Sequence, residues 1–167
     1  MATVSARTSR FSFPNPVNEI AARLVAGGVV VMALAVAALG QTWILLPLAY
    51  GFVARVAAGP RYSPLGLLVT RVAVPRLGLA PRNVPGPPKR FAQGMGAVIT
   101  VAAVVLAFGF GQIGAARVLA GLIVVAATLE SVFGLCIGCK IFAQLMRLVV
   151  VPERICRECA DLTARRT

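Results

Sequence analysis

The chain has 167 residues, of which 59% are apolar and 13% charged, and a mean hydropathy of +0.87. Average globular domains carry about 25% charged residues, so the polar surface that would coat a water-soluble fold of this size is missing and the main solvent is read as lipid. Lys and Arg outnumber Asp and Glu by 17 to 5, a net charge of +12, and the absence of His excludes catalytic triads and zinc-hydrolase sites built on imidazole.

In chain order, residues 1–14 form a basic N-terminal tail, 15–142 a membrane domain and 143–167 a cytoplasmic amphipathic tail. A hydrocarbon core about 30 Å thick is crossed by roughly 20 helical residues, and four runs approach that length. The first covers about 20–39 and follows Phe13-Pro14-Asn15-Pro16, where Asn15 is placed to cap the helix and Pro16 to open it. After Gly40-Gln41-Thr42 the second covers about 43–58, a short run in which Pro47 is expected to produce a kink. The third, about 91–111, ends at Gly109, Gly111, Gln112 and Gly114, and the fourth covers about 118–139. The connection from Gly59 to Arg90 holds seven of the eleven prolines, which excludes a continuous span, and Ser63-Pro64 opens an interfacial helix over about 63–79. The expected fold is therefore all-α, a polytopic membrane protein with four transmembrane helices arranged as two helical hairpins.

Orientation follows from the cations, because cytoplasmic segments retain Lys and Arg. Sixteen lie in the N-terminal tail, the feet of the first two spans (Arg23 and Arg55), the middle connection and the segment after the fourth span; only Arg117 lies near the two short turns. Both termini and the middle connection, Arg71 included, are thus expected in the cytoplasm and the protein in the plasma membrane. The surplus charge is read as positive-inside signal and attraction to anionic lipid headgroups, not as a nucleic-acid surface. A cleavable signal peptide competes for the first span through Ala33-Leu34-Ala35. The long apolar stretch and its helix-cap pattern favour an uncleaved helix.

Glu130 is the only acid within a span, and an uncompensated charge at the bilayer centre costs about 2.5–3.5 kcal/mol. Thirteen residues separate Thr42 from Arg55 and Arg117 from Glu130, so both side chains are expected about 20 Å below the outer surface, as an intramembrane ion pair. Arg23 is the second candidate partner. Gly134 and Gly138, in register with Glu130, read as a small-residue stripe for close helix approach.

The four cysteines form the most specific chemical signal. Cys136-Ile137-Gly138-Cys139 ends the expected fourth span and Cys156-Arg157-Glu158-Cys159 lies near the C-terminus, giving C-x2-C-x16-C-x2-C. That spacing suits a tetra-thiolate zinc site formed by Cys136, Cys139, Cys156 and Cys159. Closure is geometrically feasible but nearly taut: helix over 140–150 carries the chain about 16 Å away, and 151–155 fully extended return about 17 Å. The alternative keeps each pair separate, as a dithiol that exchanges disulfides or carries sulfur. Nine residues of continuous helix would set Glu130 and Cys139 on opposite faces, so Glu130 is not expected to serve Cys139 as a base.

Four segments carry a family resemblance: Phe13-Pro14-Asn15-Pro16-Val17-Asn18-Glu19, Gly59-Pro60-Arg61-Tyr62-Ser63-Pro64-Leu65-Gly66, Val84-Pro85-Gly86-Pro87-Pro88-Lys89-Arg90-Phe91 and Gly134-Leu135-Cys136-Ile137-Gly138-Cys139-Lys140. In these the chain resembles a family of bacterial integral membrane proteins known as domain of unknown function 4395. The resemblance implies a membrane protein without an assigned activity, and a link to thioredoxin-like or rhodanese-like partners. It favours thiol or sulfur chemistry at Cys136 and Cys139 over the second reading, a non-enzymatic scaffold with zinc as its cofactor. A third reading, a small transporter using Arg55 and Glu130, finds few other polar residues in the spans to line a path.

Overall fold

The structure is a computed structural model that describes residues 16–78, 80 and 82–148. Residues 1–15, most of the expected C-terminal tail, Cys156 and Cys159 lie outside the described residues.

Its first elements differ from the expected helix start. Val17–Asn18 forms a short strand, β1, paired antiparallel with β2, Asn83–Val84. Asn18 therefore replaces Asn15 as the cap of α1 (Glu19–Ala37), its side chain accepting the Ile20 N–H at 3.0 Å. The Glu19 N–H donates to the Arg82 carbonyl at 2.7 Å, and the Glu19 carboxylate pairs with Arg82 at 3.2 Å. Strand pairing thus fixes where α1 begins and ties it to the chain entering the third long helix.

A 3-10 turn at Thr42–Ile44 leads into α2 (Leu45–Ala58). Pro47 falls in the first turn of α2, where a missing N–H leaves no helical bond unmade, so the expected mid-span kink is replaced by an ordinary helix start. Ser63 then caps α3 (Pro64–Leu68), which runs through a π turn at Val69–Ala73 into α4 (Val74–Leu77). This segment, expected at the interface, is seated on the bundle. Leu65 fills the space that Gly28 leaves open, where an added Cβ would stand 2.7 Å from Leu65 Cδ1. Ser63 is fully buried, and Val69 and Val74 join the cluster around Val25 and Val29.

The third long helix, α5 (Gly86–Val104), begins five residues earlier than expected because Pro87 and Pro88 occupy its first turn. It continues through a π turn at Val105–Gly109. α6 (Ile113–Phe133) ends at Gly134, which has φ +66°, and a separate helix, α7 (Ile137–Arg147), follows. Four stretches, Glu19–Ala37, Thr42–Leu77, Gly86–Gly109 and Ile113–Phe133, are long and apolar enough to cross a membrane.

Packing pairs α1 with α6 and α2 with α5, and α5 also contacts α6 and carries α7. The interior is lined by small side chains, Ala21, Ala26, Ala33, Ala103, Ala116, Ala120 and Ala127, which let the backbones approach closely. Large apolar side chains point outward instead: Val31, Val98 and Val118 are 69%, 71% and 66% exposed. That inversion of the soluble pattern is what a lipid solvent permits.

Arginines fasten the pairs. Arg23 of α1 donates to the carbonyls of Ser131 and Val132 at the end of α6 (3.1 and 2.7 Å), while Arg117 of α6 donates to Ala37 and Ala38 at the end of α1 (2.9 and 3.2 Å). Arg90 of α5 reaches the Val56 carbonyl of α2 at 3.1 Å. Cations at helix C-termini satisfy orphan carbonyls and oppose the negative dipole end. We predict that Arg23→Leu lowers stability by about 1–2 kcal/mol. Unfolding in detergent checks this, with an unchanged midpoint counting against the capping role.

Candidate functional site

One helix end and two helix starts converge here: the last turn of α6, the N-terminal turns of α5 and the beginning of α7. Gly134 in its left-handed conformation stops α6, and Leu135 and Cys136 redirect the chain. Cys136 is the N-cap of α7, with Sγ accepting the Cys139 N–H at 3.4 Å. The cysteine pair therefore opens a new helix and does not end the fourth span. Gly134 and Gly138 consequently do not form one helical stripe, and the face argument separating Glu130 from Cys139 does not apply.

Gly138 allows this placement. A Cβ there would stand 2.6 Å from both Cα and Cβ of Ala92, so α7 can lie against α5 only without a side chain at this position. Phe142 meets Phe91 in a tilted ring contact with centroids 5.6 Å apart and holds the other end of the contact. Cys136 is buried, and Cys139 is partly exposed.

The two thiols are electrostatically unequal. The Cys139 thiol hydrogen-bonds the Cys136 sulfur, which lowers the Cys136 pKa; nearby Lys89 and the Cys139 backbone N–H act in the same direction, against burial and Glu130. Cys139 is pushed the other way, first by that same bond and then by burial. Helix N-termini, nearby lysines and C-x-x-C spacing each favour thiolate. Cys136 is therefore the more acidic of the two thiols.

Glu130 does not pair with Arg55 as expected. Its carboxylate meets Lys89 Nζ at 2.6 Å, both side chains being largely buried. The equal-depth argument overlooked how early α5 begins: with Gly86 in the helix, Lys89 enters the bundle one turn in and reaches Glu130 first. Arg55, 5% exposed, lies 4.6 Å over the Phe52 ring and donates from Nε to Gln93 Oε1 at 3.0 Å. Arg23, the other candidate, is occupied by the α6 carbonyls.

Sequence reasoning thus missed Lys89 and Gln93. The available signal was Pro87-Pro88 as a helix opening, which puts Lys89, Gln93, Gly96 and Thr100 at four- and three-residue intervals on one face. Thr100 closes that stripe with a hydrogen bond to the Gly96 carbonyl at 2.7 Å.

Cys136 stands between two openings. A surface cleft of about 330 Å³ is bordered by Lys89, Cys136, Cys139 and Lys140. A cavity of about 100 Å³ among α1, α2, α5, α6 and the start of α7 is bordered by Arg55, Gln93, Glu130 and Cys136 among apolar residues. Among the described residues no group of three or more metal-binding side chains comes together. The zinc site expected from Cys136, Cys139, Cys156 and Cys159 depends on the two cysteines outside them.

The arrangement defines a class, a helical bundle with membrane-length apolar helices and a dithiol at a helix N-terminus beside a buried ion pair. The chain belongs to the family described as Domain of unknown function (DUF4395), which matches residues 17–147 and so covers the bundle and both described cysteines. No curated protein and no solved structure matches the chain.

Proposed function

We propose that the protein exchanges thiols or sulfur through Cys136 and Cys139 at the cytoplasmic face of the plasma membrane, with a thioredoxin-like or sulfurtransferase protein as partner. In this reading the four apolar helices cross the bilayer as two hairpins with both termini in the cytoplasm, as the sixteen-to-one distribution of cations suggests. The observation that carries the reading is the position of Cys136, the N-cap of α7 with its sulfur taking the Cys139 N–H.

The exchange uses the inequality of the thiols. The Cys136 thiolate attacks one sulfur of a partner disulfide, forming a mixed disulfide while the partner's other sulfur leaves as thiolate. Cys139 then gives up its proton and attacks the Cys136 sulfur. The mixed disulfide breaks, a Cys136–Cys139 disulfide forms, and the partner leaves as a dithiol carrying the two electrons. Run backwards, the same steps oxidise a partner dithiol.

Replacing the resolving thiol tests the scheme. Cys139→Ser should accumulate a mixed disulfide through Cys136 when oxidised thioredoxin-like protein is added, and Cys136→Ser should not. Failure of both variants to capture the partner, together with stoichiometric zinc lost when Cys156 and Cys159 are replaced by Ser, would decide for the zinc-held scaffold.

A further inference from the structure

Among the described residues, Arg55 is the one buried cation that no carboxylate meets at hydrogen-bond distance. Glu130 is taken by Lys89 at 2.6 Å, and the Arg55 guanidinium bonds only through Nε, to the neutral amide of Gln93. Its Nη groups have no hydrogen-bond acceptor among the described residues. They are not sealed against apolar atoms either, since among the described residues every fully buried side-chain nitrogen and oxygen has a partner. A guanidinium that is 5% exposed, with free donors bordering open space, is a charge waiting for a counter-ion.

Arg55 borders three openings, of about 100, 150 and 450 Å³, and the smallest of them is the one that also reaches Cys136. It has room for several waters, and so for an anion of a few heavy atoms. Its walls are mostly apolar, from Val25, Val29 and Ile123 among others, with Gln93 and the Glu130 carboxylate, itself neutralised by Lys89, as the other polar groups, and this favours an anion that gives up its water easily. The cleft that meets the cavity at Cys136 carries Lys89 and Lys140, so its mouth attracts negative charge.

We propose that this cavity binds one small, weakly hydrated monoanion against Arg55, and that hydrosulfide is the anion it serves to the cysteines. The assignment to hydrosulfide rests on the thiol-exchange reading; the anion site does not. In the oxidised protein the hydrosulfide sulfur attacks the Cys136 sulfur and a new S–S bond forms there. The Cys136–Cys139 bond breaks with its electron pair going to Cys139, and the proton carried by hydrosulfide ends on Cys139. The products are a Cys136 persulfide anion and a Cys139 thiol. The oxidant is the cysteine disulfide itself, formed in the preceding exchange with a disulfide-bearing partner. The persulfide is then the sulfur that a sulfurtransferase-type partner removes.

Two measurements on the full chain in nanodiscs test the two parts separately. Thiocyanate, followed by the shift of its infrared band, should bind saturably at one per protein, weaken at least tenfold in Arg55→Gln and in the cavity-narrowing Ala126→Leu, and bind undiminished to Gly121→Ala, where an added Cβ meets nothing within 4 Å. No saturable band, or equal binding in wild type, Arg55→Gln and Ala126→Leu, overturns the anion site. Hydrosulfide added to the oxidised wild type should then raise the mass of the peptide containing Cys136 by one sulfur, and far more slowly in Arg55→Gln. An anion that binds as expected without that mass increase overturns the hydrosulfide assignment, while failure to trap a protein partner would count against the exchange reading alone.

Discussion

Replacing Lys89 with Met is expected to destabilise the bundle by about 3–5 kcal/mol, the cost of leaving one member of a buried ion pair without its partner. Lys89 Nζ and Glu130 Oε1 lie 2.6 Å apart with side-chain exposures of only 9% and 15%, so water is poorly placed to replace either charge. The double change Lys89→Met/Glu130→Leu should recover most of the loss, because two apolar side chains remove both desolvation penalties together. Unfolding in detergent, read as a double-mutant cycle, provides the check. A single Lys89→Met variant as stable as wild type would mean that the pair does not organise the site.

The second large effect is expected at Gly138. Gly138→Val places a branched side chain where even a Cβ would stand 2.6 Å from the Cα and Cβ of Ala92, and backbone cannot yield as a flexible side chain can. Overpacking of this kind costs about 1–3 kcal/mol, and the simplest relief is for α7 to lift away from α5. Cys136 and Cys139 would leave Lys89 together, so Cys136 should lose the part of its acidity that Lys89 supplies and the inequality of the two thiols should shrink, while the bond between them remains. Gly121, where an added Cβ meets nothing within 4 Å, supplies the control. Gly121→Ala should preserve both stability and the inequality. Thiol alkylation followed by peptide mapping distinguishes the two variants, and an unchanged reactivity ratio in Gly138→Val would contradict the seating of α7 described here.

Much of the fold was legible because apolar runs of membrane length have so few solutions. Four apolar runs near 20 residues, separated by Gly-rich turns and a Pro-rich connection, read directly as helices, and their observed limits differ mainly at the ends. Those ends were misread where a competing interaction sets the boundary. Asn15 resembles a cap in sequence, but pairing of Val17–Asn18 with Asn83–Val84 delays α1 until Glu19. Gly134 looked like one residue of an interhelical stripe, whereas its positive φ ends the helix. Nothing in hydropathy separates those two uses of glycine.

The site was legible in its types and less so in its pairings. Cys136 and Cys139 stood out by spacing, and Glu130 by being the sole acid within a span. Depth counting placed Arg55 near Glu130 but could not rank it against Lys89, because that order depends on where α5 begins and on which face of α5 meets α6. The prolines that mark the start of α5 were read as part of a connection, and Lys89 went with them. Tertiary contact between α7 and α5, which brings the cysteines to the ion pair, has no local signature beyond the small residue at Gly138.

Site-resolved alkylation of Cys136 and Cys139 as a function of pH tests the central claim most directly. A lowered pKa means that Cys136 stays thiolate, and so reactive, as the pH falls below the ordinary thiol value of about 8.5, whereas Cys139, with its pKa raised, should remain protonated and slow at and above that value. In detergent-solubilised wild type, Cys136 is expected to alkylate at least tenfold faster than Cys139 at pH 7 once burial is corrected by comparison with the denatured chain, and Lys89→Met should move the Cys136 profile upward. Two coincident profiles at the ordinary thiol value, or a Cys139 that titrates first, would contradict the account.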